Sequence, residues 1–284
     1  MNPITSFIKR HPQVIFWTIA CATFWFAAFI GFTGLWGFLI YGSFLGGAFV
    51  TGVVDGRSGL KEYFSRIVRW RVGLKWYAVA LLLPPVLHLV TFGLTIATGA
   101  ALPTSLHWPA WTDILAVFLF PSLLGIALAE EPGFRGFALP RFLAERSALA
   151  AALIVGLLHT LWHLPLLIGA ISEGYPMGIL TNLMIIVSGS VFFTWILNNT
   201  NGSVLMALLL HASEDFFAGE GTSVTFGPLY SGFTQADLMR QDLLQGLVFV
   251  AAAVLIIVLT RFALGRKPEA DMDLRAAEQP AMAR

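Results

Sequence analysis

Three short motifs place ionisable side chains inside or at the ends of apolar stretches of this 284-residue chain. Charge in such stretches is costly, so each motif is a functional candidate by default. The first is Ala129-Glu130-Glu131-Pro132-Gly133-Phe134-Arg135-Gly136. Adjacent carboxylates in a low-dielectric site compete for ionisation, which suits one of them to carry a proton. Arg135 can pair with one carboxylate and leave the other to act as a base. Pro132 fits the first position of a helix that follows the acidic pair. The alternative is that Glu130 and Glu131 only mark a membrane boundary, with Arg135 and Arg141 as flanking cations. The second motif is Leu158-His159-Thr160-Leu161-Trp162-His163-Leu164-Pro165. His159 and His163 are four residues apart and share a helix face. That spacing suits metal capture, or one catalytic imidazole beside a supporting one; two packing histidines are the alternative. The third is Leu210-His211-Ala212-Ser213-Glu214-Asp215. A carboxylate four residues after an imidazole can fix its tautomer, or complete a metal or oxyanion site; the alternative is a polar cluster capping a short span. Together the motifs offer carboxylates, imidazoles and a guanidinium from three helices, and their convergence would make one polar cavity.

The elements that must position these groups follow from composition. Hydrophobic residues make up 57% of the chain and charged residues 12%, with a mean hydropathy of +0.78. About 25% charge is usual for a soluble domain, and a soluble fold would expose large sticky patches. Lipid admits helices and closed barrels only. Eight apolar runs of spanning character lie near 14–32, 35–54, 76–99, 111–129, 148–170, 178–197, 203–218 and 243–263. They predict an all-α, polytopic membrane bundle over residues 1–267, followed by a polar, disordered cytoplasmic tail, 268–284. With both termini inside, sixteen of the seventeen Lys and Arg residues fall on the cytoplasmic side and Arg240 alone outside, as the positive-inside rule requires. Residues 57–75 carry apolar residues at helical spacing among cations, which predicts a helix lying on the cytoplasmic leaflet. The apolar run from Val14 is long enough to be a retained first span rather than a cleaved leader. The single cysteine, Cys21, excludes a disulfide framework and a Cys-based zinc site within one chain. A net charge of +1 points away from nucleic acid.

The motifs resemble those of the CAAX protease and bacteriocin-processing family, the type II CAAX prenyl endopeptidases and their ABI-family relatives. EEPGFRGFALPRF resembles that family's Glu-Glu-x-x-x-Arg motif, LHTLWHLPL its second motif ending in His163, and LLLHASED its third, a histidine followed four residues later by Asn or Asp. The order agrees, and the resemblance covers roughly residues 110–220. It implies that Glu130 is the general base for a hydrolytic water, with His163 positioning that water. It implies that His211 and Asp215 polarise the scissile carbonyl, and that Glu131 and Arg135 hold the site together. Two positions depart from the pattern. His159 stands where an aromatic residue is usual, and Asp215 where Asn is common. An extra imidazole and an extra carboxylate both favour metal binding. Because the family has been described both as metalloproteases and as metal-independent glutamate peptidases, zinc held by His159, His163, His211 and Asp215 stays open.

The resemblance therefore implies an intramembrane endopeptidase that cuts a membrane-associated peptide or protein, with the lipid bilayer as its other partner. A multi-pass protein of the prokaryotic cytoplasmic membrane is the expected setting. A non-catalytic scaffold or bacteriocin-immunity protein is the second reading. A proton-coupled transporter is the third, since carboxylates and histidines within spans also serve proton relays. One expectation conflicts with the assigned boundaries. His163 lies about 22 Å along a helix starting near Ala148, whereas Glu130 ends the preceding span at the cytoplasmic side. For the two to meet, those boundaries must shift or 132–147 must dip into the bilayer.

Overall fold

Backbone groups in hydrocarbon must be satisfied within their own segment, and the chain meets this demand with helices throughout. The computed structural model describes residues 2–102, 110–172, 177–218, 227–230 and 232–265; it contains ten α-type helices and, among those residues, no strand. They are α1 (Pro3–Arg10), α2 (Pro12–Phe29), α3 (Gly42–Ile67), α4 (Leu74–Ala97), α5 (Trp111–Glu145), α6 (Ala148–Trp162), α7 (Leu164–Ser172), α8 (Gly178–Asn199), α9 (Val204–Ala218) and α10 (Gln235–Leu259). Large apolar side chains on the outside, such as Phe29 at 88% exposure, Leu74, Trp111 and Leu259, suit a lipid-facing surface. The protein is an integral, multi-pass helical bundle.

All eight predicted runs fall on helices, but only six described helical stretches are long and apolar enough to cross a membrane by themselves. The run 148–170 is broken at His163 into α6 and α7, and 203–218 is the 15-residue α9. The predicted interfacial helix over 57–75 is shorter than expected. Gly56, at φ 66°, kinks α3, and the arm beyond it ends at Ile67. Residues 68–73 then leave the helix, because Arg69 is drawn elsewhere: its side chain bonds the Asn201 carbonyl, and its own carbonyl accepts from Ser203 Oγ at 2.6 Å. The predicted tail, 268–284, lies outside the described residues.

The largest correction concerns the fourth run. It does not end at Glu130; α5 continues to Glu145, so Pro132 lies inside a helix rather than at the start of one. Pro121 and Pro132 cannot donate to an α-helical ladder. Each falls in a π-helical stretch, Phe118–Ala127 and Pro132–Ala138, and the two stretches flank the α-helical turn that carries Glu130 and Glu131. Such wider turns recur at functional sites.

α5 is held deep in the bundle by α3. Ser43 Oγ donates to the Ala129 carbonyl at 2.5 Å, and Gly133 lets the two backbones touch. A Cβ at Gly133 would fall 2.4 Å from the Ser43 carbonyl oxygen. Gly133→Ala must therefore push backbone against backbone, and overpacking of this kind costs about 1–3 kcal/mol. A lowered thermal midpoint in detergent is expected; an unchanged midpoint would show that α3 yields without strain. Behind the same segment an aromatic wall forms: Trp17 stacks on Phe134 with centroids 5.2 Å apart, and Phe24 stacks on Trp162 at 3.6 Å.

Candidate active site

The three motifs meet. Glu130 lies about 22 Å back from Glu145 along α5, and His163 about 22 Å forward from Ala148 along α6. A tight turn at 146–147 makes the two helices antiparallel, which brings both residues to the same height. The conflict over boundaries is resolved by the length of α5.

Each side chain has an identifiable partner. Oε2 of Glu130 lies 2.9 Å from Nε2 of His159. The His159 ring packs against Phe134, with centroids 4.5 Å apart, and its Nδ1 is buried with no hydrogen-bond partner among the described residues. His163 occupies the break between α6 and α7. Its Nδ1 lies 3.2 Å from the His159 carbonyl; a carbonyl only accepts, so this bond makes Nδ1 the donor and leaves Nε2 as the basic atom in the neutral ring. On the other side, Oε1 of Glu131 accepts from Arg135 Nη1 at 2.9 Å and faces His211 Nδ1 at 2.6 Å. His211 Nε2 lies 3.4 Å from Asp215 Oδ1, so the imidazole is flanked by carboxylates at both nitrogens, an arrangement suited to its two-donor form. The Arg135 guanidinium lies 4.0 Å over the Phe193 ring.

Glu131 and Arg135 are 0% and 1% exposed, and Glu130 is buried as well. Three carboxyl groups (Glu130, Glu131, Asp215) therefore share a water-poor space with one guanidinium. Unpaired buried charge is expensive, so the excess must be met by protons on the carboxyl and imidazole groups or by a bound cation. Arg135, His159, His163, His211 and Asp215 line a cavity of about 370 Å³, walled otherwise mainly by apolar residues of α4, α7, α8 and α10. Glu130 and Glu131 are not among its lining residues; they sit behind His159, His211 and Arg135, which are. All six residues read as catalytic from the sequence are thus brought together, and His159 joins them.

The metal donors group differently from the predicted set. Ligand atoms of Glu130, His159 and His163 lie within 4.8 Å of one another, as do those of Glu130, Glu131 and His211; Asp215 belongs to neither group. It sits at the Nε2 edge of His211, while Glu131 occupies the Nδ1 edge. Two imidazoles and one carboxylate are a donor set of the kind that holds catalytic zinc, and the orphaned His159 Nδ1 shows that this ring is not saturated by protein partners. The residues present fit a divalent ion in type and spacing.

Sequence reasoning missed two groups at this cavity. His88 on α4 is 1% exposed, and its Nε2 lies 3.2 Å from Oε1 of Glu214, which lines the cavity. A lone histidine within the third apolar run was the signal available, by the same rule that picked out the other three places. Glu214 stood unassigned inside the third motif.

This arrangement coincides with what comparison with known proteins finds. Residues 110–217 match the family described as type II CAAX prenyl endopeptidase Rce1-like. This segment is similar to an Rce1-like domain. The matched segment begins at the foot of α5 and ends within α9, so it contains Glu130, Glu131, Arg135, His159, His163, His211 and Asp215. A CAAX prenyl protease 2 of Methanococcus maripaludis is 27% identical over 162 residues, which is 53% of this chain and 59% of the relative. The chain thus aligns with about three fifths of the length of that relative. α2, α3, α4 and α10 lie outside the matched segment but supply its packing partners, and α4 and α10 add Leu83, Pro84, Leu87, Gln245 and Phe249 to the cavity wall.

Proposed function

We propose that the protein is an intramembrane endopeptidase that hydrolyses a peptide bond of a membrane-associated peptide or protein. The observation that carries this reading is the convergence of all three motifs at one cavity of about 370 Å³, which falls within the roughly 300–1,000 Å³ range of small-ligand sites. In this mechanism Glu130, hydrogen-bonded to His159, takes a proton from a water held by Nε2 of His163. The resulting hydroxide adds to the scissile carbonyl carbon. Negative charge moves to the carbonyl oxygen, where Arg135 and, by trading its long 3.4 Å contact with Asp215, the Nε2–H of His211 are the donors on the cavity wall. Asp215 and Glu131 orient those donors. Collapse of the tetrahedral intermediate breaks the C–N bond, and the proton carried by Glu130 passes to the leaving amine. Proton transfer and oxyanion stabilisation of this kind need no covalent enzyme intermediate.

Were a divalent ion bound, Glu130, His159 and His163 would hold it, and it would supply Lewis acidity and a more acidic bound water. The relative's name assigns CAAX prenyl substrates to that protein; for this chain the proposed substrate class is a membrane-associated peptide. The proposed setting is a prokaryotic cytoplasmic membrane with both termini inside.

The test is cleavage of a pool of membrane peptides by detergent-purified protein. His211→Ala removes an oxyanion donor and is expected to lower kcat about 10²–10³-fold while the protein stays monodisperse. Wild-type rates in that variant would remove His211 from the mechanism. Cleavage kept in chelator would identify a glutamate peptidase, whereas loss reversed by added zinc would identify a metal enzyme. If the wild type binds peptides without cutting any, the scaffold reading replaces this one.

A further inference from the structure

The cavity receives polar groups that hydrolysis does not use. Glu214 lines it from α9, one residue before Asp215. Oε1 of Glu214 is fixed by His88 at 3.2 Å, whereas Oε2 is buried and has no hydrogen-bond partner among the described residues. Gln245 on α10, 8% exposed, lines the same cavity. The neighbouring wall is apolar and includes Leu83, Leu87 and Phe249. A carboxylate oxygen in such surroundings destabilises the protein unless a donor reaches it. The Glu214 side chain is 22% exposed, so a ligand that enters the cavity meets this carboxyl group and reaches Oε2 once the packing around it gives way. The ring of His88 sits at the Oε1 side, so the carboxylate is held in one orientation with Oε2 left over.

We propose that Glu214, oriented by His88 and accompanied by Gln245, is a specificity subsite that accepts N–H donors from a Lys, Arg, Gln or Asn side chain of the substrate. The assignment rests on the peptidase reading for its substrate class. It places a donor-bearing residue close to the scissile bond, since Glu214 adjoins Asp215 and lies three residues from His211. Apolar flanking residues of the substrate would fill the surrounding wall. A site built to hydrogen-bond a group discriminates strongly against an analogue lacking it, because its own buried polar atoms are then left unpaired.

The test uses synthetic apolar peptides that differ at one position, scanned along the peptide, where Lys or Gln is compared with Met, which is similar in length but has no N–H. Binding to the full chain in detergent is read by fluorescence anisotropy, and cleavage is read in parallel. At one position the wild type is expected to prefer Lys or Gln over Met at least about tenfold, in Kd and KM rather than in kcat. Glu214→Met should reduce that preference to within about twofold. Gln245→Met, which leaves the His88–Glu214 contact intact, should weaken it in the same direction and serves alone if Glu214→Met does not fold. Equal affinity for Lys, Gln and Met peptides at every position overturns the subsite, as does a wild-type preference retained in folded Glu214→Met. Donor-dependent binding without any cleavage would sink the peptidase reading and uphold the subsite; cleavage without donor preference would do the reverse.

Discussion

Glu130→Gln is expected to lower kcat for peptide cleavage by about 10³-fold, within the 10²–10⁴-fold range attributed to a positioned acid–base group. The substitution keeps shape and removes the acid–base function. Oε1 of the new amide can still accept from His159, so the 2.9 Å contact seen in the wild type survives and the bundle should fold. KM should change little, because Glu130 lies behind the cavity wall rather than on it. An effect confined to kcat distinguishes a lost base from lost binding. Steady-state cleavage by purified wild type and variant decides the matter: a Glu130→Gln enzyme within tenfold of wild type would mean that another group activates water.

Arg135→Met is expected to cause the largest loss of stability. The guanidinium and the Glu131 carboxylate are both buried and paired at 2.9 Å. Removing the cation strands a carboxylate in a space already crowded with acid, and breaking a buried pair in this way costs about 3–5 kcal/mol. The thermal midpoint in detergent should fall markedly, and peptide cleavage should fall with it. Glu131→Gln with Arg135→Met should recover part of the loss, since neither residue then leaves an unpaired charge; the two sites should couple strongly because they touch. An Arg135→Met protein with a wild-type midpoint would show that His211 alone suffices to balance Glu131.

Much of the site was legible because helical spacing is short-range information. His159 with His163, and His211 with Asp215, lie four residues apart, and the structure keeps each pair on one side of its helix. The bonding of Glu130 to His159, 29 residues later, was not legible, because it depends on where α5 ends. Glu130, Glu131 and Pro132 together read as a boundary. The helix runs through them, since the π-helical turns take in the proline and the tether between Ser43 and Ala129, beside Gly133, pins this turn inside the bundle. His88 was passed over because a single histidine among leucines has no periodic partner; its partner, Glu214, is 126 residues away. The leaflet helix over 57–75 was over-long because nothing local shows that Arg69 is tied to the turn at 201–203.

The brevity of α6 and α9 has a consequence for the surrounding membrane. Each has 15 residues and is about 22 Å long, against a hydrocarbon layer of about 30 Å. Both carry histidines of the site, and His211 is the eighth residue of α9, about 11 Å from either end. α9 is sheathed by the bundle, with no exposed residue between Val204 and Ala218, whereas α6 turns Leu153, Leu157 and Leu161 outward, so the mismatch falls on the α6 side of the candidate site. Bilayers meet such mismatch by thinning at a modest elastic cost per ångström. A bilayer thinned beside α6 would bring headgroups and water toward the candidate site, and acyl-chain length would then bear on access to it as much as the protein does.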